Sequence, residues 1–150
     1  MKDCLQLDKI NRGLFCPYCE CDTILIDTKT IYKVRSYGMA YQCPKCLAFV
    51  GCHKNTIIAL GRVANKELRE AKKEAHKYFD IIWKNKHLTR TDAYEWLSTR
   101  LEIPISKTHI GLFDIKQCKD TVYFSKQILN DMRRLDLDFN VIPETEYFEL

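Results

Sequence analysis

Cys16-Pro17-Tyr18-Cys19 and Cys43-Pro44-Lys45-Cys46 are two copies of one motif, separated by twenty-three residues. Each turn brings two thiols together, and the proline at its second position fixes the backbone φ angle of the turn. Zn²⁺ prefers four soft ligands in a tetrahedron, and two such turns supply four thiolates. The spacing therefore predicts one structural zinc ion, bound by Cys16, Cys19, Cys43 and Cys46.

The other cysteines have separate interpretations. Cys21 and Cys52 lie close to the two motifs and, with His53, are rival ligands. Cys4 lies near a terminus, and Cys118 falls on the apolar face of a predicted helix, where it is expected in the core.

A shell of four thiolates leaves no open coordination position. We therefore expect the ion to stabilise the fold, with any chemistry located elsewhere.

The segment around the two motifs is rich in short β-prone runs. Residues 23–26, 31–34 and 39–42 are short runs that contain β-branched or aromatic residues, and turn residues separate them. Such runs predict short strands. Together with the cysteine motifs, they predict a zinc ribbon over residues 1–54.

The remainder of the chain changes to a helical pattern. Apolar residues at three- and four-residue steps predict helices over residues 63–83, 89–101 and 114–132, with Asn65, Thr89 and Asp114 as N-caps. Alternation of apolar and polar or acidic residues over 135–142 predicts a half-buried strand. The predicted class is α+β: a β-rich zinc ribbon packed against a bundle of about three helices (55–134), then an acidic tail (135–150) with a mobile end.

Charge and hydropathy narrow the class of protein. The 150 residues carry 24 Lys and Arg against 20 Asp and Glu, and the net charge is +4. The last twenty residues are acidic, so the body of the chain is the basic part. No apolar run approaches the roughly 18 residues of a membrane helix, and no signal peptide is visible at the N-terminus. We expect a cytoplasmic protein with no membrane partner.

Several polar side chains of the helical part suggest a second site. His76 and Asp80 are i,i+4 neighbours on the first predicted helix and can form a hydrogen bond. His53, His109 and Asp114 could complete a hydrolytic metal centre or a phosphate-binding pocket. The simpler interpretation has His76 and Asp80 as an intrahelical pair, His109 bonded to the backbone and Asp114 as a helix cap. No catalytic residue is assigned, and the sequence favours a protein that is not an enzyme.

Aromatic and basic residues alternate within the predicted ribbon. Exposed aromatic rings beside cations can stack on bases and contact phosphates, although some of these rings must form the core beside the metal. The aromatic residues are Phe15, Tyr18, Tyr32, Tyr37, Tyr41 and Phe49, and the basic ones are Lys29, Lys33, Arg35, Lys45 and Lys54.

The order of motifs resembles an uncharacterised family of zinc-finger-containing domains found in bacterial and phage genomes. Beyond the two cysteine motifs, the matching segments are Tyr37-Gly38-Met39, the stretches 48–54, 60–61 and 67–69, Ala75-His76-Lys77-Tyr78-Phe79-Asp80, Trp83-Lys84, the stretch 90–97, and 109–114 with Cys118. The resemblance covers residues from about 14 to 122. It implies no activity, but it draws attention to His53, His76, Asp80 and His109.

Three functions remain open. The leading expectation is a small zinc-ribbon protein, plausibly encoded by a phage or mobile element, that binds nucleic acid or a nucleic-acid-processing machine. The second is a metal-dependent hydrolase or nuclease that uses His76, Asp80 and His109. The third is an adaptor or inhibitor of a host or phage protein, with the acidic tail as its contact. The oligomeric state stays open.

Overall fold

The computed structural model of the chain describes residues 4–140, with side chains for residues 4–133. Two compact units follow one another along the chain, the first ending at Arg69 and the second beginning at Glu70. Short strands dominate the first unit and helices the second, which confirms the α+β class. The predicted boundary between residues 54 and 55 stays a prediction.

The first unit contains two small antiparallel sheets. One pairs β1 (Phe15–Cys16) with β2 (Cys21–Asp22), and the other has the order β3 (Ile24–Asp27), β4 (Met39–Gln42), β5 (Phe49–Gly51). A helix, α1 (Cys4–Asn11), precedes them. The strands predicted over residues 23–26 and 39–42 are confirmed as β3 and β4. Ala48, Val50 and Val63 form a buried cluster, with Tyr41 and Ala59 packed on it.

The strand predicted over residues 31–34 is wrong. This segment instead overlaps a helical turn, α2 (Lys29–Tyr32), which ends where Lys33 adopts a left-handed φ of 61°. The Thr28 hydroxyl donates to the Gly38 carbonyl at 2.9 Å and accepts from the Tyr37 N–H at 2.7 Å. One buried hydroxyl thereby closes the loop from 28 to 38, and these contacts override the β-propensity of the run.

Three long helices account for most of the rest of the chain. They are α3 (Lys66–Lys84), α4 (Arg90–Leu101) and α5 (Ile115–Asn140), with two 3₁₀ turns at Ile105–Lys107 and Ile110–Leu112 between α4 and α5. The predicted caps at Asn65 and Thr89 are confirmed, because their side-chain oxygens accept the N–H groups of Leu68 and Asp92 at 2.9 and 3.1 Å. The buried core of the second unit includes Ala75, Phe79, Ile82, Ala93, Leu97, Ile110, Phe113 and Cys118.

The strand predicted over residues 135–142 is wrong as far as the structure describes it. Helix α5 continues through Asn140, while residues 141 and 142 lie outside the described part. Residues 115–140 contain neither glycine nor proline, so nothing in the sequence ends the helix there. The mobile end proposed for the acidic tail also lies outside the described residues.

Gly13 holds a tight corner of the first unit, and its replacement tests this packing. Its φ is +74°, and a Cβ atom there would lie 2.9 Å from both Ala59 Cβ and Val50 Cγ1. Gly13→Ala is expected to lower the free energy of unfolding by about 2–4 kcal/mol through backbone strain and overpacking. Gly38 is the control, since its φ is +107° with nothing within 4 Å, and Gly38→Ala should cost less. Equal losses in chemical denaturation would contradict the packing argument.

Candidate metal centre

Each cysteine motif forms the connection of an antiparallel hairpin. The first lies between β1 and β2, where Cys16 pairs with Cys21 across the ladder. The second lies between β4 and β5, where Gln42 pairs with Phe49. Two hairpin ends thus present two thiols each, as expected for a zinc ribbon.

The two turns share the same backbone conformation. In the first, the Glu20 N–H donates to the Cys16 carbonyl at 2.9 Å, and Glu20 has a φ of 53°. In the second, the Leu47 N–H donates to the Cys43 carbonyl at 3.1 Å, and Leu47 has a φ of 64°. A left-handed backbone conformation is uncommon for residues other than glycine. Both turns adopt it at the same position, which indicates that the fold holds the two turns in one defined conformation.

The four sulfur atoms form one compact group. The Sγ atoms of Cys16, Cys19, Cys43 and Cys46 all lie within 4.8 Å of one another. Cys16 Sγ and Cys46 Sγ are 3.6 Å apart, close to the edge of about 3.8 Å expected for a tetrahedron with Zn–S bonds of about 2.3 Å. Cys16 and Cys43 are buried, whereas Cys46 is exposed. The donor set and its dimensions fit one structural zinc ion.

Backbone N–H groups point at the sulfurs. Cys43 Sγ accepts from the N–H groups of Lys45 and Cys46 at 3.4 and 3.5 Å, and Cys16 Sγ accepts from Cys19 at 3.4 Å. Burial would raise the pKa of Cys43, but these N–H bonds and the hydrogen bonds from the thiols of Cys16 and Cys21 together outweigh it and lower the pKa to about 6. Burial raises the pKa of Cys16 to about 12. Zinc must displace thiol protons to bind, so its affinity is expected to fall as the pH is lowered.

The rival ligands lie outside the group of four. Cys21 Sγ is near, at 3.6 Å from Cys43 Sγ. Cys52 instead pairs with Ala59 in an isolated β-bridge. His53 is exposed and begins a turn, where its N–H donates to the Ile58 carbonyl at 2.9 Å. Of these three residues, only Cys21 is placed beside the sulfurs.

The second predicted set of residues is only partly brought together. His76 Nδ1 lies 3.2 Å from Asp80 Oδ2, so the predicted intrahelical pair is confirmed. The His109 ring lies 6.2 Å from the Tyr94 ring between centroids. Within residues 4–133, whose side chains the structure describes, the four cysteines are the only group of three or more potential ligand side chains at metal-binding distance. The described side chains therefore provide no second metal cluster that would support the hydrolase or nuclease alternative.

Asp114 is a helix cap. Its Oδ1 accepts from the Gln117 N–H at 2.8 Å, and its own N–H donates to Gln117 Oε1 at 3.0 Å, the reciprocal pattern of a capping box.

Asp114→Ala is expected to lower the free energy of unfolding by about 1 kcal/mol, whereas Asp114→Asn retains the acceptor and should be nearly neutral. Urea denaturation measures both. A loss for Asp114→Asn as large as for Asp114→Ala would contradict the capping role.

An aromatic groove of about 560 Å³ also opens on the first unit. Tyr32 makes edge-to-face contacts with Tyr37 and Phe49, at centroid distances of 5.3 and 6.3 Å. The sequence indicated these three rings but did not assign Met39 and Leu60 to a site, although both lie in segments that carry the family resemblance. The residues that line the aromatic groove are Thr28, Tyr32, Tyr37, Met39, Phe49, Gly51, Cys52 and Leu60.

Two arginines lie over rings of this groove. Arg35 Cζ is 4.8 Å from the Tyr37 ring centroid, and Arg69 Cζ is 4.3 Å from that of Phe49. Arg69 also donates from Nη1 to the Ala64 carbonyl at 2.7 Å, which fixes its position. The groove therefore combines partly exposed aromatic rings with guanidinium groups.

Comparison with known proteins agrees with the metal centre. In the described part of the chain, no helix has the length and apolar character needed to cross a membrane. No curated protein and no solved structure matches the chain. A family model described as a zinc-finger-containing domain matches residues 12–128, well over half of the chain and inclusive of both cysteine motifs. The chain therefore belongs to this family of zinc-finger-containing domains.

Proposed function

We propose that the protein binds single-stranded nucleic acid through the aromatic groove. The observation that carries the proposal is the contact between Tyr32, Tyr37 and Phe49, with Arg35 and Arg69 over two of the rings. Single strands bind proteins by stacking bases on aromatic rings while cations follow the phosphates. A duplex hides its base faces, so we expect single strands to be preferred.

The exposure of the rings supports this assignment. Tyr37 is 61% exposed and Tyr32 is 49% exposed. Aromatic side chains usually bury much of their large apolar surface, so two such rings at the surface are available to a ligand. Both rings are held by contacts within the unit, which reduces the entropy lost when a base stacks on them. The groove is thus a partly formed platform.

Charge supports the same surface. Residues 28–66 contain no Asp or Glu, and their basic residues are Lys29, Lys33, Arg35, Lys45, Lys54, Arg62 and Lys66. Lys29, Lys33 and Arg35 lie in the loop beside the groove and are exposed. A continuous basic segment attracts a polyanion and releases counterions when it binds.

Fluorescence anisotropy with labelled single strands tests the proposal. We expect binding to weaken with added salt, with a slope of about −0.7 in log K against log salt for each phosphate contact. Arg35→Ala should weaken binding and reduce the slope by about one contact. Arg12→Ala is the matched control, since Arg12 is exposed but faces Asp8 at 3.5 Å. Absent or salt-insensitive binding would overturn the proposal.

A further inference from the structure

Asp80 organises a second polar surface, on the helical unit. Its Oδ2 lies 3.2 Å from His76 Nδ1, and its Oδ1 accepts from Trp83 Nε1 at 3.2 Å. A carboxylate only accepts hydrogen bonds, so this contact assigns the hydrogen of the neutral His76 ring to Nδ1. The Nε2 atom then points away from Asp80. The His76 side chain is 50% exposed and that of Asp80 only 18%, so a carboxylate in a protected position supports an accessible imidazole.

Arg90 adds a cation beside this pair. Its Cζ lies 4.9 Å from the Tyr94 ring centroid and 5.7 Å from that of Trp83. Among the described residues, no ion pair includes Arg90. Burial raises the pKa of the Tyr94 hydroxyl, Arg90 opposes the rise and Asp80 adds to it. The charges of Arg90 and Asp80 therefore act on the same hydroxyl group.

The segment that carries His109 is held against the same side of α3. Lys72 Nζ donates to the Gly111 carbonyl at 2.8 Å. Lys72, His76 and Asp80 are spaced four residues apart, so they lie on one face of the helix. The His109 ring lies 6.2 Å from the Tyr94 ring. Two contacts, one through Lys72 and one through Tyr94, thus place His109 near this face.

We infer that the surface formed by His76, Asp80, Trp83, Arg90, Tyr94 and His109, called the α3–α4 cluster below, binds a phosphate group. A guanidinium stacked on aromatic rings presents its N–H edge in a planar fork, which matches two phosphate oxygens. His76 presents its Nε2 atom to the ligand while Asp80 holds Nδ1. Lys84, at 3.9 Å from Asp80 Oδ2, adds further positive charge.

An anion suits this surface better than a metal ion. A metal centre needs three or more ligand atoms, and the residues described in the structure provide such a group only at the cysteines. Asp80 already accepts from His76 and Trp83, which leaves its carboxylate occupied by hydrogen-bond donors. Arg90 and Lys84 remain at the cluster as cations, and cations attract an anion rather than a metal ion.

Titration of the zinc-loaded full chain with inorganic phosphate tests the site. We expect a saturable NMR shift of the Trp83 indole N–H signal, assigned with Trp83→Phe, and no such shift with sodium chloride at equal ionic strength. Arg90→Ala should weaken phosphate binding by about tenfold or more, because a charge-assisted hydrogen bond is lost. Arg90→Lys keeps the charge without the planar fork and should show an intermediate loss. The matched control is Arg100→Ala, which removes an exposed arginine at the other end of α4.

A second arm identifies the source of the phosphate. If nucleic acid supplies it, a single strand of about eight nucleotides should shift the same signal and displace inorganic phosphate. If a free phosphate or a mononucleotide supplies it, the oligonucleotide should not compete. Tyr32→Ala with Tyr37→Ala should leave the phosphate titration unchanged, so a failure at the aromatic groove is distinguishable from a failure here. No shift with either ligand, or equal losses in Arg90→Ala and Arg100→Ala, would overturn the inference.

Discussion

Cys16→Ser is expected to remove zinc from the protein and to unfold the sheets of the first unit. Cys16 is fully buried, and its sulfur lies 3.6 Å from Cys46 Sγ. Structural zinc supplies about 10–16 kcal/mol of apparent binding free energy in zinc-finger peptides, and this energy maintains the fold. A serine hydroxyl is a poor replacement for a thiolate. We expect the zinc affinity to fall by at least about 100-fold, measured by metal content, chelator competition and the amide dispersion of residues 15–51.

Cys21→Ser is the matched control for this experiment. Cys21 is the cross-strand partner of Cys16, and its sulfur lies 3.6 Å from Cys43 Sγ, but it is outside the group of four. Cys16→Ser and Cys21→Ser therefore make the same substitution on the two paired strands of one hairpin. Cys21→Ser should keep one zinc ion and the dispersed spectrum. If Cys21→Ser loses zinc as Cys16→Ser does, or if Cys16→Ser keeps it, the ligand assignment is wrong.

The metal centre could be predicted because its four ligands lie in two short sequence motifs. Two Cys-Pro-x-Cys turns place thiols through their own backbone geometry, and the intervening length allows the second turn to reach the first. The caps at Asn65, Thr89 and Asp114 were predictable for the same reason, since each bond closes within three residues. Short-range hydrogen bonding is the part of a fold that a single sequence encodes most directly.

The error at residues 31–34 arose because contacts outside the run decide its conformation. The run at residues 31–34 has the composition of a strand, yet the bonds from Thr28 to Tyr37 and Gly38 close a loop around it. The aromatic groove likewise depends on Tyr32 meeting Phe49, seventeen residues away in the sequence. The sequence shows that basic and aromatic residues are frequent in this region, but it did not indicate which rings would remain exposed.

The double variant Tyr32→Ala, Tyr37→Ala is expected to cause the largest loss of nucleic-acid binding. Stacking of a base on an aromatic ring contributes about 1–3 kcal/mol by alanine substitution. Two rings at a centroid distance of 5.3 Å should together account for a loss of about 30-fold or more. Because stacking does not involve counterion release, the salt dependence should change little. Anisotropy with a labelled single strand measures both quantities, and it separates this variant from Arg35→Ala, which should change the slope.

Tyr123→Ala provides the control for the loss of an exposed tyrosine. Tyr123 is 47% exposed and belongs to α5, in the helical unit, so its replacement removes similar surface without touching the aromatic groove. The structural cost of the double variant is assessed by zinc content and by thermal denaturation, because Tyr32 also contacts Phe49. Phenylalanine at positions 32 and 37 preserves the stacking faces and should restore most of the affinity. If the phenylalanine variant binds as weakly as the alanine variant, or if Tyr123→Ala is equally impaired, base stacking in this groove is not the source of the affinity.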